Sequence, residues 1–154
     1  MSGAVNIIAL DGPVASGKTV VGLELSRRLA FRYLDTGVMY RAITWLALRC
    51  ATPMWDEEGL GELAARHPIR LGGPNSPDGM QGEQVWVGEH QVGAELRDAR
   101  VERQVSLVAR VPQVRRALVQ QQRILAKEGK IVMAGRDIGT VVLPCADLKV
   151  FLSA

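Results

Sequence analysis

The sequence has few of the features that mark secreted or membrane proteins. It contains only two cysteines, Cys50 and Cys145, and neither stands at a metal-ligand or disulfide-framework spacing. Isolated thiols of this kind are typical of a reduced, intracellular protein. No stretch reaches the roughly 18 apolar residues of a membrane span, and no basic segment followed by an apolar run suggests a signal peptide. We therefore expect a cytoplasmic protein that does not bind membranes.

The chain also has only a small excess of one charge over the other, and few aromatic residues. The net charge is +3, and only 5% of the 154 residues are aromatic. No block of like charges occurs, which disfavours nucleic acid as a partner. His67 and His90 lack the spacing of metal ligands. A mildly basic chain of this length suits one domain that binds a small anionic molecule, and the absence of a repeated apolar face favours a monomer.

Residues 12–19 form the most informative pattern in the chain, G-x-x-x-x-G-K-[ST], the phosphate-binding P-loop. An apolar run precedes it and a helical pattern follows, which is the context that the motif requires. Its backbone N–H groups and the positive end of the following helix would surround a phosphate. Lys18 would reach the β- and γ-phosphates of ATP, and the Thr19 hydroxyl would bind Mg²⁺. The predicted ATP-binding residues are Gly12, Pro13, Val14, Ala15, Ser16, Gly17, Lys18, Thr19 and Val20.

The remaining periodicity predicts an α/β fold with a parallel sheet flanked by helices. Strands are expected at 5–10, 32–34, 131–134 and 148–152, and helices at 19–30, 39–50 and 56–66, the last capped by Asp56. The pattern at 97–122 predicts two helices, the second beginning near Pro112. Ligands should bind at the carboxyl ends of the parallel strands.

Residues 67–97 have a different character and predict a small β-rich insertion within the single domain that spans 1–154. Short alternating segments occur at 69–71, 84–87 and 90–92, with a hairpin turn at Gly88 and Glu89. The glycine- and proline-rich stretch 73–82 is also compatible with a disordered linker. The three tryptophans, Trp45, Trp55 and Trp86, are expected to pack in the core or in the insertion.

Two further segments place charged groups after strands. Asp35-Thr36-Gly37-x-x-Tyr40-Arg41 follows the second strand, and Gly135-Arg136-Asp137-Ile138-Gly139-Thr140 follows the strand at 131–134. Two arginines and two carboxylates should therefore lie near the γ-phosphate position. Because arginine binds phosphate in a bidentate manner, this layout favours phosphoryl transfer to a small acceptor that itself carries a phosphate.

Together with the P-loop and Glu95-Leu96-Arg97, these segments resemble the bacterial cytidylate kinases, a nucleoside monophosphate kinase family of P-loop kinases. The resemblance covers nearly the whole chain. It implies transfer of the ATP γ-phosphate to CMP or dCMP with Mg²⁺. Lys18, Arg136 and Asp137 would then be catalytic, with Arg136 holding the acceptor phosphate and Asp137 bonding the cytosine amino group, which uracil lacks. The acceptor-binding residues implied by the resemblance are Thr36, Tyr40, Arg41, Ser106, Arg115, Arg136 and Asp137.

The sequence departs from this family in three places. Ala134 stands where some members carry an acid, and Val20 follows Thr19 where a second hydroxyl residue is common. The family also continues beyond the strand at 148–152, so the resemblance implies that an arginine-rich lid, a last strand and a closing helix are missing. A chain that ended at Ala154 would turn over slowly and expose a sheet edge, whereas the resemblance favours a fragment of a longer protein.

Two other functions are compatible with the P-loop. A small-molecule kinase of the shikimate type also uses an aspartate after the second strand, although the β-rich insertion and the Gly-Arg-Asp-Ile-Gly-Thr segment argue against it. A regulatory module could bind a nucleotide without transferring phosphate. A GTPase is disfavoured, because no Asn-Lys-x-Asp segment is present.

Overall fold

A computed structural model describes residues 4–13, 15–71 and 85–153. Val14 and the stretch predicted as a turn or linker at 73–82 lie outside the described residues. The described part of the chain divides into two compact units. The first contains the residues up to Thr36 and those from Gln122 onward, and the second contains the residues between Gly37 and Gln121.

The first unit is built on a four-stranded parallel sheet, as the sequence predicts. Its strands are β1 (Ile7–Asp11), β2 (Arg32–Asp35), β6 (Ile131–Gly135) and β7 (Leu148–Phe151). They lie in the order β2-β6-β1-β7, with Ile8 opposite both Val132 and Leu148. Strands β1 and β6 have a neighbour on each side, which explains their continuous apolar runs. Among the described residues, β2 and β7 are the edge strands of this sheet, and Phe151 of β7 is 71% exposed.

The core of this unit lies between the sheet and helix α1, which runs from Lys18 to Leu29. Tyr33 of β2 is 2% exposed and packs with the apolar side chains of β1 and β6. Gly22 is buried in α1, and a methyl group added there would collide with the Tyr33 ring. The absence of a side chain at Gly22 therefore lets α1 pack closely on the sheet.

Replacing Gly22 by alanine should destabilise the protein by about 1–2 kcal/mol. Overpacking of a tight core typically costs about 1–3 kcal/mol, and the better helix propensity of alanine returns only about 1 kcal/mol. Chemical denaturation measures the difference. Val21→Ala, at an exposed position on the same helix, should change stability by no more than about 0.5 kcal/mol. An equal loss in the two variants would contradict the packing argument.

The second unit contains four helices, two of which continue into the first. They are α2 (Thr36–Arg49), α3 (Glu57–Arg66), α4 (Ala99–Ala109) and α5 (Pro112–Lys127). The Asp56 side chain caps α3 by accepting from the Gly59 N–H at 3.0 Å, and α5 begins at Pro112, so both predictions are confirmed. No helix in the described ranges is long and apolar enough to cross a bilayer.

The prediction for the start of α2 was wrong by three residues. The helix begins at Thr36, directly after β2, rather than at Met39. Threonine and glycine are weak helix formers, so the residue types at Thr36 and Gly37 do not indicate that the helix has already begun.

A three-stranded antiparallel sheet also belongs to the second unit. Its strands are β3 (Ile69–Leu71), β4 (Val85–Val87) and β5 (His90–Val92), in that order. Strands β4 and β5 form the predicted hairpin, whose turn contains Gly88 with a φ of +60°. The expectation for Trp55 was wrong, since its side chain is 80% exposed in the turn before α3. Large aromatic side chains are usually buried, but only tertiary packing decides whether a particular one is.

Candidate active site

The P-loop places three of its described residues in unusual backbone environments. Ala15 and Gly17 both have positive φ, at 65° and 90°. A Cβ at Gly12 would lie 2.7 Å from the Leu152 carbonyl oxygen and 2.8 Å from the Ser16 hydroxyl oxygen. Left-handed residues turn successive N–H groups toward the same side, which creates a concave site for an anion. The strain at Ala15, a non-glycine residue, is typical of a functional loop.

Helix α1 begins immediately after this loop, with Gly17 as its N-cap. Gly17 has no side chain that could accept from the first-turn N–H groups, so these donors point out of the helix end toward the loop. The helix dipole adds positive potential at the same place. The loop and the helix start therefore supply the backbone donors and the positive potential that suit a phosphate.

Two polar side chains of the loop can form hydrogen bonds to a ligand. Within the described part of the chain, the buried Ser16 hydroxyl has no hydrogen-bond partner. The Lys18 ammonium donates to the carbonyls of Gly12 at 2.5 Å and Gly135 at 3.3 Å. Since neutral carbonyls are weaker partners for an ammonium than phosphate oxygens, an arriving nucleotide can displace them. Lys18 thereby connects the P-loop to the carboxyl end of β6.

The end of β6 also contacts the start of α2. The Thr36 hydroxyl is buried and donates to the Ala134 carbonyl at 3.1 Å. A methyl group at Gly135 would overlap the Thr36 hydroxyl oxygen, so this position requires glycine. The structure thus brings two predicted site residues, Lys18 and Thr36, to the end of β6, where Gly135 directly precedes Arg136.

A carboxylate outside the predicted set holds the loop after β6 in place. Asp11, the last residue of β1, accepts from the N–H groups of Ile138 at 2.7 Å and Gly139 at 2.9 Å. These residues open a π-helical turn, Ile138–Val142, which Asp137 begins in the left-handed conformation with a φ of 57°. Arg136 and Asp137 precede this turn with exposed side chains. Asp11 therefore anchors the segment that presents the two predicted catalytic residues.

Replacing Asp11 by asparagine should loosen that segment. The side-chain amide offers one acceptor oxygen instead of two, so one N–H group in the turn loses its partner, at a cost of about 1–3 kcal/mol. Chemical denaturation gives the stability change, and hydrogen exchange at Ile138 and Gly139 should become faster.

Asp147→Asn is the matched control for this variant. Asp147 accepts from the N–H groups of Asn6 and Ile7 at 2.9 and 2.8 Å, at the opposite end of β1. Because both N–H groups donate to the same oxygen, Oδ2, the asparagine retains an acceptor for them. The loss of charge should lower stability only slightly, without accelerating exchange at Ile138 and Gly139. Equal exchange at these two amides in both variants would rule out the anchoring role of Asp11.

In the second unit, the charge of Arg115 acts on the phenol of Tyr40, and both are predicted acceptor-binding residues. Tyr40 lies on α2 and Arg115 on α5, and both side chains are half-buried. Burial raises the pKa of the Tyr40 phenol, and the nearby Arg115 guanidinium partly offsets that shift. Tyr40 is therefore a neutral hydrogen-bonding group. The neighbouring Arg116 is exposed, whereas Arg115 is half-buried.

Arg41, one residue further along α2, has a partner that the sequence did not suggest. Its Nη1 donates to the Glu102 carboxylate of α4 and, at 3.4 Å, to the Leu96 carbonyl. Ser106 lies one turn after Glu102 and is exposed. An exposed glutamate on an amphipathic helix resembles an ordinary solvated residue, so no sequence signal distinguishes Glu102.

The parallel sheet, the left-handed loop after β1 and the lysine at the start of α1 define a P-loop nucleotide-binding protein. The chain belongs to the cytidylate kinase family, since the family model for cytidylate kinase matches residues 8–154. This agrees with the resemblance drawn from the sequence and disfavours a kinase of the shikimate type.

Similarity to individual relatives is also extensive. The chain is 49% identical over 147 residues to a cytidylate kinase of Exiguobacterium sibiricum, and 47% identical over 147 residues to a cytidylate kinase of Streptococcus suis. Each alignment covers 96% of the chain and 64% of the relative. A bifunctional pantoate ligase/cytidylate kinase of Synechococcus is 45% identical over 148 residues, which are 96% of the chain and 27% of that protein. The chain thus spans less than two thirds of the length of these relatives.

Proposed function

We propose that the protein transfers the γ-phosphoryl group of ATP to CMP or dCMP, producing ADP and CDP or dCDP. The observation that carries this proposal is Lys18, which links the P-loop of a cytidylate kinase family member to the end of the strand that presents Arg136 and Asp137. The proposal takes residues 1–154 as one kinase domain and residues 67–97 as the insertion that contributes to the acceptor side.

Several features support ATP as the donor. The unpartnered Ser16 hydroxyl, the space that a Cβ at Gly12 would fill and the positive φ of Gly17 fit a phosphate chain. Lys18 would bind the β- and γ-phosphates, and the N–H groups of residues 17–20 would contribute further donors. Val14 completes the proposed ATP-binding set, although it lies outside the described residues.

Thr19 fits the proposed magnesium ion. It is exposed in the first turn of α1, where its hydroxyl can reach a cation carried by the nucleotide phosphates. Among the described residues, no group of three or more His, Cys, Asp or Glu side chains could hold a metal by itself. Mg²⁺ commonly keeps several waters and takes only one or two protein ligands beside phosphate oxygens. When bound, it would neutralise part of the phosphate charge.

The acceptor nucleotide would be bound by the residues that the family resemblance implies. Arg41 and Arg136 would hold its phosphate, since a guanidinium pairs with two phosphate oxygens at once. Thr36, Tyr40, Ser106 and Arg115 would position the nucleotide, and Asp137 would accept from the cytosine amino group. An oxygen of the acceptor phosphate would form the new bond to the γ-phosphorus while the bond to the β–γ bridging oxygen breaks. Positioning and charge stabilisation would supply most of the catalysis.

Two further properties belong to the proposal. The exposed thiols of Cys50 and Cys145 suit the reducing cytoplasm. The net charge of +3 suits small anionic nucleotides rather than nucleic acid, and we propose a monomer.

An ADP-release assay with Mg·ATP tests the proposed function. CMP, dCMP, UMP, AMP and shikimate are compared as acceptors at equal concentration. Turnover with CMP or dCMP well above that with UMP and AMP is the expected result, since Asp137, once covered by the bound nucleotide, would be left without a donor at a cost of about 1–3 kcal/mol.

The other outcomes of this assay are equally informative. Preference for shikimate would overturn the assignment of the acceptor. Where turnover is slow, calorimetry with ATP and CMP separates the remaining cases. Binding of both nucleotides supports a kinase, whereas ATP binding without CMP binding would favour a nucleotide-binding module that does not transfer phosphate.

A further inference from the structure

Among the described residues, the hydrogen-bond acceptors of the Arg41 guanidinium all lie on one side of the group. Both of its recorded hydrogen bonds use Nη1, one to Glu102 and one to the Leu96 carbonyl. In the described part of the chain, neither Nε nor Nη2 has a recorded partner. These two donors form one edge of the guanidinium, and such an edge pairs with two oxygens of a phosphate. The existing contacts therefore leave a phosphate-binding edge open.

The ion pair between Arg41 and Glu102 fixes the position of the Arg41 side chain more than it stabilises the fold. The side chains of Arg41 and Glu102 are 31% and 51% exposed. Pairs with this exposure stabilise a fold only slightly, because water screens the attraction. Glu102 nevertheless restrains a long side chain that would otherwise sample many rotamers. The Leu96 carbonyl, in the short turn Ala94–Arg97, supports the same nitrogen.

We propose that Glu102 is a positioning residue for acceptor binding, an inference that rests on the function proposed above. It holds the Nη1 side of Arg41 and so presents the Nε–Nη2 edge to the phosphate of the nucleoside monophosphate. The gain is a smaller loss of conformational freedom when the phosphate binds. Repulsion between the Glu102 carboxylate and the phosphate is the opposing effect. It is reduced because the carboxylate is solvated and partly neutralised by Arg41.

The test compares the binding of CMP and cytidine to the whole chain and its Glu102 variants. Calorimetry gives the dissociation constant of CMP, and competition against CMP gives that of cytidine. Glu102→Ala should weaken CMP binding by about fivefold, the effect of freeing one long side chain, and leave cytidine binding unchanged. Glu102→Gln retains an acceptor oxygen but not the charge, so it should show a smaller loss. It also replaces the alanine variant if that variant does not fold.

Two controls isolate the contact. Glu62→Ala removes a carboxylate from an exposed ion pair with Arg66 on α3, and it should leave the binding of both ligands unchanged. In an Arg41→Ala background, Glu102→Ala should have no further effect on CMP, because the side chain that it positions is absent.

Each of the remaining outcomes would contradict the positioning role of Glu102 or the acceptor site itself. Unchanged or tighter CMP binding by Glu102→Ala would overturn the positioning role, and tighter binding would identify Glu102 as a competitor of the phosphate. An equal loss for CMP and cytidine would overturn it as well, because that result reports a general structural effect. If the unsubstituted chain binds CMP no better than cytidine, the proposed acceptor site itself fails, and this inference fails with it.

Discussion

Replacing Lys18 by alanine is expected to lower the rate of phosphoryl transfer at least a hundredfold for every acceptor. Loss of one positioned donor at developing negative charge typically costs about 10²–10³ in kcat, and Lys18 carries a full positive charge. ATP affinity should also fall about tenfold or more, since a hydrogen bond to a charged group contributes about 1.5–3 kcal/mol. Steady-state kinetics with CMP and calorimetry with ATP measure the two effects.

Lys127→Ala provides the matched control for this variant. Lys127 is exposed in the last turn of α5 and undergoes the same change of charge and size. Its rate and ATP affinity should match those of the unsubstituted protein, and thermal unfolding should show that both variants are folded. A Lys18→Ala protein with normal transfer and normal ATP affinity would refute the P-loop assignment.

Replacing Arg136 by alanine should weaken the use of CMP as acceptor but leave the binding of ATP nearly unchanged. We expect the KM for CMP to rise and kcat to fall, with kcat/KM lower by about 10- to 100-fold, because a charged bidentate contact to the acceptor phosphate is lost. The dissociation constant of ATP should change by less than about twofold. Arg136→Lys should recover only part of the loss, since an ammonium cannot form the bidentate pair.

The control for Arg136 is Arg28→Ala on α1. Arg28 is exposed and pairs with Glu24 four residues earlier, so the variant removes one arginine from the same unit without touching the proposed site. All kinetic constants should be retained. An equal loss of ATP affinity and CMP affinity in Arg136→Ala would indicate that Arg136 serves the donor, and the proposed division of roles would then be wrong.

Much of the fold was predictable because its signals are local. The buried strands β1 and β6 appear as continuous apolar runs, Asp56 and Pro112 mark helix starts, and the hairpin turn contains glycine. The start of α2 was missed because its first residues are weak helix formers. The exposure of Trp55 was missed because burial depends on neighbours that are distant in sequence.

The sequence by itself determined the P-loop, the parallel α/β architecture and the family, since each depends on residue types at short, fixed spacings. Only the tertiary structure decided that Asp11 anchors the turn Ile138–Val142, that Arg115 is half-buried whereas Arg116 is exposed, and that Glu102 pairs with Arg41. Asp11 and its first partner Ile138 are 127 positions apart, and Arg41 and Glu102 are 61 apart. The physical reason is that such contacts arise when packing closes long loops, so no local pattern of side chains encodes them.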